Sequence, residues 1–112
     1  MHNIIKNNFL LIIQSIKLVK RRFKRIHTPD DFVLSEEGVI ILDSISMRLQ
    51  TIGELLKKND KLDSQLFQQY PDIKWQQIMR LRDILSHHYE SVDNEIIFDI
   101  CSNHIRNLEK QL

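Results

Sequence analysis

The feature that most constrains the fold is an apolar residue at every third or fourth position through the first quarter of the chain. An α-helix has a period of 3.6 residues, so this spacing places the apolar side chains on one side of a helix. It predicts a first helix over residues 3–26. The members of this stripe are Ile5, Phe9, Ile12, Ile16, Val19, Phe23 and Ile26.

Four further apolar residues of this helix lie beside the stripe and widen it. They are Leu10, Leu11, Ile13 and Leu18. A helix with so broad an apolar surface is expected to contact more than one neighbour. A second protomer is a natural candidate for one of them.

A second stripe of the same period predicts a helix that begins after Ser35 and ends near Lys57. Ser35 is a capping hydroxyl, and the acids Glu36 and Glu37 follow it in the first turn, where they suit the helix dipole. Between the two helices, Pro29 marks a connection, because the residue before a proline disfavours the helical conformation. The inward residues of the second helix are predicted to be Val39, Leu42, Ile45, Leu49, Ile52 and Leu56.

Gly53 and Glu54 stand out within the second helix. Glycine costs about 1 kcal/mol against alanine inside a helix, so Gly53 predicts a close approach by another helix. Glu54 is either a surface acid or the charge that meets an arginine from elsewhere in the chain.

The second half of the chain is expected to add two more helices and one short one. Residues 58–72 are polar, with a helical turn predicted at 64–69, and Pro71 precedes the helix that carries Trp75. Asp93 caps the last helix, whose stripe is Ile97, Ile100, Cys101, His104, Ile105, Leu108 and Leu112. The prediction is a single all-α domain over residues 1–112, an antiparallel four-helix bundle with a short extra helix.

Composition restricts the environment and the chemistry. Cys101 is the only cysteine, so an internal disulfide is excluded. The longest apolar run, residues 9–13, is too short to span a bilayer, so we expect a cytoplasmic protein without membrane association. One cysteine and five scattered histidines lack the spacing of metal ligands, and neither a metal nor a cofactor is expected.

Charge is unevenly distributed along the chain. Residues 1–28 carry seven basic side chains and no acid, whereas the remainder carries nine basic and fifteen acidic residues, a balance of −6. Such asymmetry suggests that one face meets a polyanion or an acidic partner. The candidate RNA-binding residues are Lys17, Lys20, Arg21 and Lys24, although a solvated face would also explain them.

One stripe contains an arginine where packing favours an aliphatic residue. It consists of Trp75, Ile78, Arg82, Leu85 and Tyr89, at spacings of three and four. A guanidinium stays protonated and is rarely buried without an anionic partner. Arg82 therefore needs a carboxylate or a bound phosphate.

The segment around Arg82 resembles the HepT-like branch of the HEPN superfamily. The pattern of an arginine, four residues, a histidine, one residue and a tyrosine is met by Arg82, His87 and Tyr89. Residues 70–75, 92–93 and 97–100 are also similar to that family, and so are residues 52–54. The resemblance covers residues 3–112. Asp83 departs from the family pattern, in which many members have asparagine.

The resemblance implies a homodimeric, all-helical ribonuclease toxin of a type VII-like toxin–antitoxin pair. In that family two copies of the motif face each other at the dimer interface and cleave RNA without a metal. Arg82 and His87 would be catalytic. The antitoxin would be a small MNT-type nucleotidyltransferase that transfers AMP to Tyr89.

The residue chemistry is compatible with this assignment. His87 lies five positions after Arg82, about 140° around a regular helix, so either the helix breaks there or two protomers pool their groups. Asp83 shares the face of His87 and can hold the imidazole in one tautomer and favour its protonated form. A histidine with an ordinary pKa of about 6.5 can exchange protons with a ribose hydroxyl, and Arg82 can stabilise the charge on the phosphorane.

Two other hypotheses remain open from the sequence. In one, the bundle is a non-catalytic, nucleotide-binding or interaction module that partners a nucleotidyltransferase. In the other, it is a helical scaffold whose Arg82 is paired with Glu54 or Asp83. His104, on an apolar stripe, is interpreted as a core or interface histidine.

Overall fold

Every regular element in the described part of the chain is helical. The computed structural model describes residues 2–69 and 93–111, and no strand occurs within them. Helix α1 spans His2–Phe23, a 3-10 turn spans Pro29–Phe32, helix α2 spans Glu36–Leu62, and a second 3-10 turn spans Leu66–Gln69. The C-terminal helix consists of Asn94–Asp99, a π-helical turn at Ile100–His104, and Ile105–Gln111. The all-α prediction is confirmed.

Helices α1 and α2 pack side by side in opposite directions. Near the start of α1, the side chain of Asn8 is hydrogen bonded to Asn59 near the end of α2. Beyond the other end of α1, Arg25 forms an ion pair with Glu37 in the first turn of α2. This packing buries the predicted stripe of α1 most completely at Ile12, Ile16, Val19 and Ile26.

Helix α1 ends at Phe23, three residues earlier than predicted. The Ile26 amide donates to the Phe23 carbonyl at 2.9 Å, so the chain continues as a tighter turn. Ile26 is nevertheless buried, and Phe23 packs against the core. The apolar pattern therefore predicted the burial of Ile26 correctly but placed the end of the helix too late, because a turn can also direct an apolar side chain into the core.

The connection after α1 is a structured 3-10 turn. Asp31 caps it by accepting hydrogen bonds from the backbone amides of His27 and Thr28 at 2.8 and 3.0 Å. Phe32, at the end of the turn, is fully buried and lies 6.3 Å from Phe23 between ring centroids. The turn thus contributes a core residue.

Gly38 allows this turn to lie directly on the start of α2. A Cβ atom at this position would be 2.0 Å from the carbonyl oxygen of Asp31. No such contact is tolerated without a backbone shift. The predicted cap is confirmed beside it, since the Ser35 hydroxyl accepts from the Gly38 amide at 2.9 Å.

Helix α2 runs to Leu62, five residues beyond its predicted end. Asn59 extends the buried face by one more turn, because its polar side chain is satisfied by hydrogen bonds to α1. At the other end of the stripe, the prediction was wrong for Val39, which is 42% exposed. The rest of the predicted stripe of α2 is buried.

The C-terminal helix begins where the sequence predicted. The Asp93 carboxylate accepts hydrogen bonds from the amides of Glu95 and Ile96. The buried residues follow the predicted stripe and are Ile97, Ile100, Cys101, Ile105 and Leu108. The π-helical turn was not predicted. It places His104 Nε2 3.5 Å from the carboxylate of Asp99.

Candidate functional site

The motif itself lies outside the described residues. This applies to Arg82 and His87, predicted to be catalytic, to Asp83, predicted to support them, and to Tyr89, the predicted modification site. Their roles remain predictions. The described residues comprise the elements that precede and follow the motif in the chain, and they include the basic residues of α1.

Immediately after the motif segment, the chain is anchored to the connection between α1 and α2. The Asn94 side-chain amide donates a 2.8 Å hydrogen bond to the carbonyl of Pro29. Asp93 caps the helix that follows, and Ile97 enters the core one turn later. The start of the C-terminal helix is therefore held in place by a cap, a tertiary hydrogen bond and a core contact.

The two unusual residues of α2 have different surroundings. Gly53 is buried, but the close approach by another helix that was predicted for it is not tested by the described residues. Glu54 is exposed and makes no ion pair with any residue in the ranges 2–69 and 93–111. Its predicted alternative role as a partner of Arg82 is not tested by the described residues.

The four candidate RNA-binding residues all lie on the exposed surface. Lys17, Lys20 and Arg21 are exposed on α1, and Lys24 directly follows its last residue. Lys20 differs from the other three because it forms an ion pair: its Nζ atom lies 2.7 Å from the carboxylate of Glu109 on the C-terminal helix. Within the described part of the chain, Lys17, Arg21 and Lys24 form no ion pair.

The comparison with protein families decides the identity of this fold. The family described as Ribonuclease HepT-like matches residues 5–112, a range that contains the arginine–histidine–tyrosine motif. The chain belongs to the HepT-like ribonuclease family. The resemblance read from the motif is thereby confirmed, and the helical architecture agrees with a HEPN-like fold.

A curated relative supports the same assignment. The HepT-like chain is 39% identical over 64 residues to a protein of Methanocaldococcus jannaschii named "Putative RNase MJ0127". The match covers 57% of this chain and 50% of the relative, so the aligned part spans about half the length of the relative it matches. No solved structure gave a significant match.

Other chemistry in the described part of the HepT-like chain is limited. No three or more His, Cys, Asp or Glu side chains in residues 2–69 and 93–111 are grouped closely enough to hold a metal ion. Burial raises the pKa of the Cys101 thiol to about 12, which opposes a nucleophilic role. None of the helices in these ranges combines the length and hydropathy needed to cross a bilayer.

Three positioning residues were missed by the sequence interpretation. Asn59 follows Ile52 and Leu56 at the spacing of the buried stripe, and that register is a signal that could have identified it. Glu109 neutralises Lys20 from 89 positions away, a relationship without any local signal. Asn94 directly follows a predicted cap, but its bond to Pro29 depends on tertiary packing.

Proposed function

We propose that this HepT-like chain is a metal-independent endoribonuclease toxin. The observation that carries the proposal is the family match over residues 5–112, which includes Arg82 and His87. The name of the M. jannaschii relative supports ribonuclease activity as well. The proposed site is a composite cleft in which two protomers each contribute one motif.

The proposed reaction is an attack by the ribose 2′-oxygen on the adjacent phosphorus. His87 removes the 2′-hydroxyl proton, the P–O5′ bond breaks, and a protonated imidazole returns a proton to the leaving 5′-oxygen. Arg82 stabilises the additional negative charge on the phosphorane oxygens. The products are a 2′,3′-cyclic phosphate and a free 5′-hydroxyl, and DNA, which lacks the nucleophile, is not cleaved.

The test is cleavage of RNA by the purified protein in EDTA. Wild type is expected to produce fragments ending in cyclic phosphate, and His87→Ala is expected to lose about 10² to 10⁴ in rate. His88→Ala is a matched control, because the adjacent imidazole is outside the family pattern. Equal cleavage by wild type and His87→Ala would reject the assignment, as would cleavage of the all-deoxy analogue at the same rate.

The homodimer is part of the same proposal. Exposed apolar side chains on α1, Ile4 at 55%, Leu10 at 50% and Leu11 at 48%, are compatible with a second protomer. Mixing the Arg82→Ala and His87→Ala variants yields dimers that retain one arginine and one histidine. If the groups are pooled, these mixed dimers cleave RNA faster than either parent variant, whereas no gain on mixing contradicts a composite site.

The proposed partner is an MNT-type nucleotidyltransferase antitoxin that transfers AMP to Tyr89. Incubation with this partner and ATP is expected to add the mass of one or more AMP groups and to abolish RNA cleavage. Tyr89→Phe should gain no mass. If RNA cleavage is absent but Tyr89 still gains AMP, the non-catalytic interaction module is the better description.

A further inference from the structure

The basic residues near the end of α1 fall into two classes according to their ion pairs. Lys20 is held by Glu109 at 2.7 Å, with side-chain exposures of 48% and 33%. Arg25 is held by Glu37. The exposed side chains of Lys17, Arg21 and Lys24 have no such partner among the described residues.

Three exposed cations without an acidic partner form a narrow row, termed here the cationic stripe and defined as Lys17, Arg21 and Lys24. Arg22 also forms no ion pair within the described residues, but its side chain is only partly exposed, and it is left out of the stripe. Their spacings of four and three residues place Lys17 and Arg21 on one side of α1, with Lys24 directly after the helix end. Lys17 and Arg21 are separated by about 6 Å along the helix axis. Residues 1–28 contain no acid, so no carboxylate of this segment interrupts the stripe.

We propose that the cationic stripe binds the phosphate backbone of single-stranded RNA. This inference rests on the proposed function for its choice of polyanion. The proposed set is smaller than the set of RNA-binding residues predicted from the sequence. Lys20 is left out because it is already paired with Glu109 and contributes less to RNA binding. Contacts to phosphate are independent of sequence, so RNAs of different sequence bind with similar affinity.

The helix surface that carries the stripe favours a nucleic acid over an acidic protein. Interfaces between proteins are enriched in aromatic residues and methionine and depleted of lysine. On the stretch of chain that carries the stripe, residues 12–32, no large apolar side chain is exposed, whereas Leu10 and Leu11 before it and Val33 and Leu34 after it are exposed. A row of cations on a polar surface can make the charge contacts to phosphate that supply sequence-independent binding.

The binding test uses a single-stranded RNA with 2′-O-methyl riboses, which cannot undergo 2′-oxygen attack. Affinity is measured by fluorescence anisotropy between 50 and 200 mM salt. For single strands, the slope of log affinity against log salt changes by about 0.7 per phosphate contact. The variant Lys17→Gln/Arg21→Gln/Lys24→Gln is therefore expected to lose about 2 from the magnitude of this slope.

The matched control removes the same charge at the opposite end of α1. Lys6, Lys58 and Lys61 are exposed, and the bond between Asn8 and Asn59 places the end of α2 beside the start of α1. The variant Lys6→Gln/Lys58→Gln/Lys61→Gln should retain most of the salt slope. Equal losses in the two triple variants, or none in either, would overturn the inference.

A variant expected to bind RNA more tightly gives a second test, because a gain in binding cannot result from misfolding. Glu109→Gln releases Lys20 beside the stripe, and the salt slope is expected to steepen by about 0.7. Lys20→Gln in the wild-type background is expected to change the slope less than Lys17→Gln does. An unchanged slope in Glu109→Gln contradicts the role assigned to the ion pair.

The outcomes also separate this inference from the proposed ribonuclease activity. RNA cleavage by wild type with undiminished binding by the stripe variant rejects the stripe and keeps the activity. Stripe-dependent binding of the methylated RNA without cleavage of ordinary RNA keeps the stripe and rejects the activity. Loss of partner-protein binding with RNA affinity unchanged would assign the stripe to that protein and overturn the inference.

Discussion

The side-chain amide of Asn8 donates a 2.9 Å hydrogen bond to the side-chain oxygen of Asn59, joining α1 to α2 across 51 positions of sequence. Asn59 is fully buried, and its own amide group donates to the carbonyl of Ile5 at 3.4 Å. Both functional groups of this buried amide are therefore satisfied by α1. The pair aligns the start of one helix with the end of the other.

Asn59→Ala is expected to lower the free energy of unfolding by about 1 to 3 kcal/mol, because it removes the acceptor for the Asn8 amide from a buried position. Urea unfolding gives this value. A double-mutant cycle with Asn8→Ala isolates the direct interaction. Asn103→Ala, at an exposed residue bonded within its own helix to Asp99, is the control and should change stability less. Strict additivity in the cycle would contradict coupling between Asn8 and Asn59.

Gly38→Ala is expected to destabilise the protein despite the better helix propensity of alanine. The new Cβ atom would be 2.0 Å from the Asp31 carbonyl oxygen, so the turn and α2 must separate. Overpacking of this kind costs about 1 to 3 kcal/mol. Thermal unfolding measures the loss, and Glu36→Ala in the same helical turn is the control. A variant as stable as wild type would show that the turn yields freely.

Asp31 is expected to make stability depend on pH in the acidic range. Backbone hydrogen bonds from His27 and then Thr28 hold the pKa of the Asp31 carboxyl below its ordinary value of 3.8. A lowered folded-state pKa means that the stabilisation is complete above the unfolded value and is lost as pH falls through the folded value.

The measurement is the unfolding midpoint of wild type and Asp31→Asn from pH 6 down to about pH 2. The difference between them should be largest at the upper end and shrink below about pH 4. Asp30→Asn is the matched control, because the neighbouring side chain does not cap the turn. A difference between wild type and Asp31→Asn that stays constant over the whole range would contradict the linkage.

Cys101 is expected to resist alkylation in the folded protein. Its side chain is in the core at 5% exposure, and its pKa is raised to about 12 by burial from a reference of 9.0. The smaller thiolate fraction slows the reaction, since the thiolate is the nucleophile, and burial also blocks access to the sulfur. Mass spectrometry after iodoacetamide treatment at pH 8 measures the modification at this single cysteine. Rapid labelling without denaturant would refute the prediction.

Local sequence signals predicted the helix starts better than the helix ends. Ser35 and Asp93 were recognised because a capping side chain and its target amides are only two or three residues apart. The end of α2 was predicted too early because Asn59 is polar, and its burial depends on Asn8. Burial of Phe32 also escaped prediction, since it depends on a turn packed against distant helices.

The candidate site was likewise predictable only in part. Arg82, His87 and Tyr89 could be selected from sequence because their spacing is a family pattern, and the family match confirms the resemblance. The neutralisation of Lys20 could not be predicted, because Glu109 is brought to it only by the packing of the C-terminal helix. The π-helical turn could not be predicted either, because it leaves the apolar periodicity of the C-terminal helix almost unchanged.

The contact between Gly38 and Asp31 also restricts how this lineage can diverge. A relative that keeps the Pro29–Phe32 turn in this position must keep a residue without a side chain at the equivalent of Gly38. A relative that has lost this glycine must have moved the turn, and with it the carbonyl that receives Asn94. A substitution at Gly38 is thus expected to change the position of Asn94, which begins the helix that follows the motif.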